Sequence, residues 1–173
     1  MVFLSSFIKG PFNILNLKVN TMKKFKILVF SDSHGRERNI ESAIEAHNGR
    51  ADAFIFLGDG IVGANSVFEK YPNVPHICVK GNCDPMFVNE LEETTIELGG
   101  IRILCMHGHK YDVKSTLLWA GYRAKEKEAD ILLFGHTHSA LELRRDDLIY
   151  FNPGTIGRGY PNCTYGVIEI VGE

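Results

Sequence analysis

The chain has 173 residues, 45% of them hydrophobic and 23% charged, with a formal net charge of −2. A chain of this length and composition forms one globular domain and buries roughly 70% of the surface its unfolded state exposes, which excludes a dependence on disulfide or metal staples. The near-neutral charge offers no general attraction for nucleic acid or an anionic membrane, and any metal is expected to be catalytic rather than structural.

Residues 1–21, MVFLSSFIKGPFNILNLKVNT, are apolar in places, but Lys9, Gly10 and Pro11 interrupt them. No run reaches the roughly 20 residues a membrane span requires, and the basic start and small-residue cleavage site of a secretory signal are missing. MKKFKILVFSD from Met22 reads as a cytosolic start. Residues 1–21 are therefore expected to be a peripheral N-terminal extension, with an amphipathic docking segment as the competing reading, and residues 22–173 a single domain. Cys78, Cys83, Cys105 and Cys163 form no CxxC pair, which fits free thiols in a reducing cytoplasm.

KILVF, Lys26 to Phe30, is a short continuous apolar run, as in a strand covered on both faces. After SDSHGRE, Ile40, Ala43, Ile44 and His47 fall at helical spacing. ADAFIFLGDG repeats the plan and leads into a helical stretch with Val67, Phe68 and Tyr71, and VPHICVKGNCDP is a third strand and loop. This β-α-β-α-β pattern favours a parallel sheet with right-handed crossovers.

The second half differs. TTIELGGIRILCMHGHK reads as two strands about Gly99-Gly100. The spacing predicts a helix over residues 113–129, with Val113, Leu117, Ala120 and Ala124 on one side. DILLFGHTHSA is another strand and loop, LELRRDDLIYFNPGT a hairpin about Asp146-Asp147, and TYGVIEIV a closing strand. Two mixed sheets packed face to face with helices outside is the simplest α/β arrangement that covers all these strands.

Five of the apolar strands end in short loops that set Asp, His or Asn beside Gly: SDSH, GDG, GNCD, HGH and GHTH. Ligands gather outside the carboxyl ends of strands in open α/β sheets, so loops scattered in sequence are expected to converge there. Each loop alone has a plain reading. Asp32-Ser33-His34 fits a helix N-cap, Asp59 and Asn82 fit turns, and His107 fits a satisfied strand-end histidine. His136 and His138 are stronger, since i, i+2 spacing in an extended segment points both side chains to one face. Together Asp32, His34, Asp59, Asn82, His107, His136 and His138 exceed what one metal can use, but suit two divalent ions sharing Asp59. Nitrogen and oxygen ligation without thiolate suits Mn2+, Fe2+, Zn2+, Ni2+ or Co2+ better than Mg2+ or Ca2+, with Mn2+ the first expectation.

In order, D-x-H, GD, GN-x-D, HGH and GHTH followed by NPGT resemble the calcineurin-like metallophosphoesterases, in particular their small single-domain bacterial and archaeal phosphodiesterases. The resemblance runs from about Lys26 to the C-terminus. It implies a four-layer αββα sandwich, with Asp32, His34 and His138 on one metal, Asn82, His107 and His136 on the other, and Asp59 shared. It further implies hydrolysis of phosphate esters, most simply phosphodiesters, by hydroxide held between the two ions. Asn152 to Thr155 match the family's Pro-Gly turn, either as a plain turn or as a phosphate contact.

One position departs from the pattern. Many enzymes of the superfamily carry histidine after the motif asparagine, where it can protonate the leaving group; this chain has Cys83. Cys83 is then either a space-filler or a catalytic group, and His109 either the proton donor or a partner that holds His107. Asp84 reads as a turn residue before Pro85. The expected substrate is a small phosphate ester, with pocket walls from Met86 to Glu93 and Arg158 to Asn162. Neither a membrane nor nucleic acid is an expected partner, and a homo-oligomer is compatible with the sequence. The competing functions are a non-catalytic protein-interaction scaffold on the same fold, and a phosphomonoesterase or nuclease.

Overall fold

The structure is a computed structural model that describes residues 2–5, of these only the backbone, with 24–159 and 162–171. Alternation along the strands sets the layering. In β2 (Lys24–Phe30), Ile27 and Val29 face one side and Leu28 and Phe30 the other, all of them inaccessible to solvent. A strand apolar at both parities must be covered on both faces. The same holds for β3 (Ala53–Phe56), β6 (Ile101–Met106) and β7 (Ile131–Phe134).

The first sheet also contains β1 (Val2–Ser5), β4 (His76–Cys78) and β10 (Gly166–Val171), in the order β1-β10-β2-β3-β4. The second adds β5 (Glu93–Leu98), β8 (Ala140–Arg145) and β9 (Leu148–Pro153), in the order β5-β6-β7-β9-β8. Strands β2, β3 and β4 run parallel, as do β6, β7 and β9, while the remaining pairings are antiparallel. Ile27, Val29, Ile55 and Leu57 of one sheet meet Ile103, Cys105, Leu133 and Phe151 of the other in a shared core. Leu28, Phe30, Phe54 and Phe56 on the outer face are roofed by Ile40 and Ile44 of α1 (Glu37–Ala46) and Ile61 and Phe68 of α2 (Ile61–Phe68). Leu104, Met106, Leu132 and Phe134 are roofed by Ala120 and Ala124 of α3 (Leu118–Glu126). The four layers are helix, sheet, sheet, helix, as the sequence leads one to expect.

Both hairpins turn at Gly99-Gly100 and Asp146-Asp147. The helix predicted over 113–129 is shorter. Gly108 and Asp112 adopt positive φ (101° and 50°) around a single 3-10 turn, His109–Tyr111. Ser115 and Thr116 then donate back to the Asp112 carbonyl, so the helix starts only at Leu118. At the far end Glu128 turns left-handed (φ 52°). Val113 still packs in the cluster beneath α3, so the apolar spacing marked burial correctly and overstated the helix.

Within the N-terminal stretch, Val2 to Ser5 pair antiparallel with Ile170 to Val167 at the edge of the first sheet. Residues 6–21 of the proposed extension lie outside the described residues. Among the described residues no helix is long and apolar enough to cross a membrane.

Candidate metal centre

The two parallel triplets point their carboxyl ends the same way, and the polar loops follow from that. Asp32 and His34 follow β2, Asp59 follows β3, and Asn82 follows β4. His107 follows β6, and His136 and His138 follow β7. Five of these residues sit in left-handed backbone: Asp32 (φ 56°), His34 (45°), Asp59 (63°), His136 (66°) and His138 (57°). Each such residue costs about 1 kcal/mol or more, so the surrounding fold must impose the conformation. Gly81 and Gly135 let the loops close in. A Cβ on Gly81 would lie 2.1 Å from Asp59 Oδ1, and one on Gly135 would lie 2.0 Å from Ser31 Oγ.

All seven expected ligands come together. His138 Nε2 lies 3.1 Å from Asp32 Oδ1 and 3.2 Å from His34 Nε2. His107 Nε2 lies 3.4 Å from Asp59 Oδ2, 3.1 Å from Asn82 Oδ1 and 3.2 Å from His136 Nδ1. His34 Nε2 links the two groups, 3.9 Å from Asp32 Oδ1 and 4.0 Å from Asp59 Oδ2. Asp59 thus stands between them.

The donor chemistry fits cations. Asp32 Oδ2 is engaged by Ser31 Oγ (2.5 Å) and the His136 amide (3.1 Å), whereas Oδ1 is buried and accepts no hydrogen bond. A buried carboxylate oxygen without a hydrogen bond is costly; a metal ion shared with the neighbouring His138 Nε2 would remove the cost. His107 Nδ1 lies 2.6 Å from the Leu57 carbonyl, which holds a proton on Nδ1 and turns Nε2 towards Asp59, Asn82 and His136, so that Nε2 would become a ligand on losing its own proton to a bound cation. Asp32, His34 and His138, and separately Asp59, His107 and His136, could each hold one divalent ion.

The sequence did not reveal the bracing. Asp84, expected to be a turn residue, is buried and accepts four backbone N–H bonds. Its Oδ2 takes Asp59 N (2.8 Å) and Gly81 N (2.8 Å), and its Oδ1 takes Gly60 N (2.7 Å) and Ile61 N (2.8 Å). It therefore ties the Asp59 loop to the Asn82 loop and caps α2, whose own N-cap, Gly60, has no side chain to do so. The NPGT turn braces the centre as well. Asn152 Nδ2 donates to the Gly135 carbonyl (2.9 Å) and Thr137 Oγ1 (3.1 Å), and Thr155 Oγ1 donates to the Asp32 carbonyl (2.8 Å). The one hint in the sequence was polar residues at a buried strand end.

In the metal-free chain the charges are arranged unevenly. Burial, with Asp59 adding, raises the Asp32 carboxyl above its usual range against the Ser31 hydrogen bond and the His107 and His138 charges. Burial also works to raise Asp59, but hydrogen bonds from His107 and Cys83 hold it well below the usual range. Burial pulls His107 down, and its bond to Asp59 and the two carboxylates more than offset that. Burial and the His107 charge push His136 down to about 4.

Cys83 borders an open cleft of about 410 Å³ beside His34 and Asp59. Its amide donates to Asp59 Oδ1 (2.8 Å), and its thiol accepts from Asn82 Nδ2 (3.2 Å). Burial and the neighbouring Asp59 raise the thiol above its ordinary value. His109 does not hold His107, whose second nitrogen is taken by Leu57. It stands 5.4 Å, ring to ring, from His107 and lines a separate recess of about 180 Å³ with Glu92, Glu93 and Tyr111. Of the expected walls, Met86 and Phe87 are exposed beside the cleft residue Pro85, on a loop whose Met86 and Val88 carbonyls accept from Lys80 Nζ. In the other wall, residues 160 and 161 lie outside the described residues.

Comparison with known proteins gives a consistent picture. The calcineurin-like phosphoesterase superfamily domain matches residues 25–173. The probable metallophosphoesterase YsnB of Bacillus subtilis is 38% identical over 133 residues, 75% of this chain and 74% of that one. The crystal structure of a Streptococcus pneumoniae protein described as a predicted phosphoesterase superposes with a TM-score of 0.73 at 33% identity, covering 87% of this chain and 85% of that one. Phosphodiesterase YfcE of Escherichia coli is 26% identical over 168 residues, 83% of this chain and 87% of its own. The match takes in the strands from β2 onward and every loop of the centre, and the chain belongs to the calcineurin-like phosphoesterase superfamily.

Proposed function

We propose that the chain is a phosphodiesterase that works with two divalent transition-metal ions, Mn2+ before Ni2+, Zn2+, Fe2+ or Co2+. The observation that carries the reading is the buried Asp32 Oδ1, which accepts no hydrogen bond and faces the His138 ring, within a set of seven donors gathered about Asp59. Asp32, His34 and His138 would hold one ion, Asn82, His107 and His136 the other, and Asp59 both. When bound, such ions polarise phosphoryl oxygens and lower the pKa of water from about 15.7 towards about 7, which supplies a nucleophile at neutral pH.

The remaining work falls to the chain. Two carboxylates cannot neutralise two divalent ions, so the centre keeps a positive charge that attracts an anionic phosphate. The Leu57 carbonyl fixes the His107 tautomer, and Asp84 fixes the Asp59 backbone, so the ligands need little rearrangement. Cys83 at the cleft is a weak acid, so esters with good leaving groups should react fastest; His109, 5.4 Å ring to ring from His107 and in its own recess, is the alternative proton donor. The phosphodiesterase name of the Escherichia coli relative supports a diester over a monoester. The free thiols suit a reducing cytoplasm.

A panel of phosphomonoesters, phosphodiesters and nucleotides assayed with Mn2+, Ni2+ and Zn2+ against metal-free protein tests this. Diester hydrolysis should require metal and fall at least about 100-fold in Asp59→Asn. Turnover that persists without metal would overturn the reading.

A further inference from the structure

We propose that Glu37 sets substrate choice: the cleft beside the centre receives a phosphodiester arm that ends in a cation. This rests on the phosphodiesterase reading and goes beyond it. The cleft, about 410 Å³, is bordered by His34, Asp59 and Cys83 of the centre and by Val62, Pro85 and Glu37. No lysine or arginine lines it, so nothing there would neutralise a second phosphate. Its walls are mainly carbon, and Val62 on α2 is 53% exposed.

Three carboxylates border this space, and two are committed. Asp84 is saturated by four backbone amides. Asp59 faces His107 and accepts from the Cys83 amide. Glu37, half-buried in the first turn of α1, makes no side-chain hydrogen bond or ion pair among the described residues. Its place is defined by what it lies on. A Cβ at Gly63 would come within 2.1 Å of Glu37 Oε1 and 2.4 Å of its Cγ, so the side chain rests flat on bare helix backbone. A lone carboxylate in a largely carbon-walled cleft that also borders the proposed phosphate site favours an ammonium group there and repels an anion.

Two chromogenic diesters of equal shape test this: p-nitrophenyl phosphorylcholine and p-nitrophenyl 3,3-dimethylbutyl phosphate, in which a neutral tert-butyl group replaces the trimethylammonium. With the Mn2+-loaded protein, kcat/KM should favour the choline ester about five-fold, the equivalent of about 1 kcal/mol for a solvated pair at contact. Glu37→Gln should bring the ratio to about one. So should Gly63→Ala, which keeps the carboxylate but displaces it, in a helix that accepts alanine better than glycine. A ratio near one in the unmodified protein, or an unchanged ratio in both variants, would overturn the proposal. Failure to hydrolyse either ester would instead sink the phosphodiesterase reading. Calorimetric binding of phosphorylcholine against 3,3-dimethylbutyl phosphate then still measures the preference, and equal affinities would end it.

Discussion

Four backbone amides converge on the Asp84 carboxylate, which touches none of the proposed ligand side chains. Truncation would strand buried donors, so Asp84→Ala should cost about 3 kcal/mol of stability in urea unfolding and weaken Mn2+ binding by about 10–100-fold in calorimetry. Metal affinity equal to that of the unmodified protein would remove Asp84 from the support of the site. Cys83 makes the opposite point, a side chain in the cleft whose chemistry is poor for its place. Cys83→His should speed turnover of diesters with poor leaving groups by about 10-fold or more, the lower end of what a positioned acid supplies. Unchanged or slower turnover at full metal content would count against it. At this scale the sequence was legible for the candidate ligands, because caps and turns explain any one Asp or His beside Gly at a strand end but not five such loops at once. Asp84 was not legible, since its worth lies in amides from two loops separated by more than 20 residues.

Among the elements, α3 shows how a local pattern is overridden. Its apolar spacing from Val113 is real, but the left-handed Gly108 and Asp112 commit that segment to the turn that carries His109. The turn is tied down by Glu93 of β5, which accepts from Tyr111 Oη (2.5 Å) and Arg123 Nε (2.8 Å). Burial tends to raise the Glu93 carboxyl, but the Arg123 and Tyr111 hydrogen bonds hold it below its ordinary 4.5. A depressed acid stabilises the fold above its unfolded pKa and loses that contribution as pH falls through the folded one. Glu93→Gln should therefore lower the thermal midpoint by about 2–4 °C at pH 7 and leave it unaltered well below pH 4.5. A calorimetric series from pH 7 to pH 3 measures this, and a deficit that does not shrink with acid would refute the ion-pair account.

For the whole molecule, three apolar clusters hold the layers together, so chelation should leave the fold in place. Metal-free protein should keep its circular-dichroism spectrum and a cooperative melt, while Mn2+ at about 100 times its Kd should add about 2.7 kcal/mol. Loss of the cooperative melt on chelation would mean the metal is structural. What the sequence determined by itself was the two-sheet sandwich, the strand-end loops and the identity of the candidate ligands. Those depend on period-two and helical burial and on side-chain chemistry, and both are local properties of the chain. Only the tertiary structure decided the meeting of loops 104 residues apart, the bracing by Asp84 and Asn152, and the place of Glu37 on Gly63. Each depends on which backbone groups become neighbours once the sheets pack, and no stretch of sequence encodes a neighbour it has not yet met.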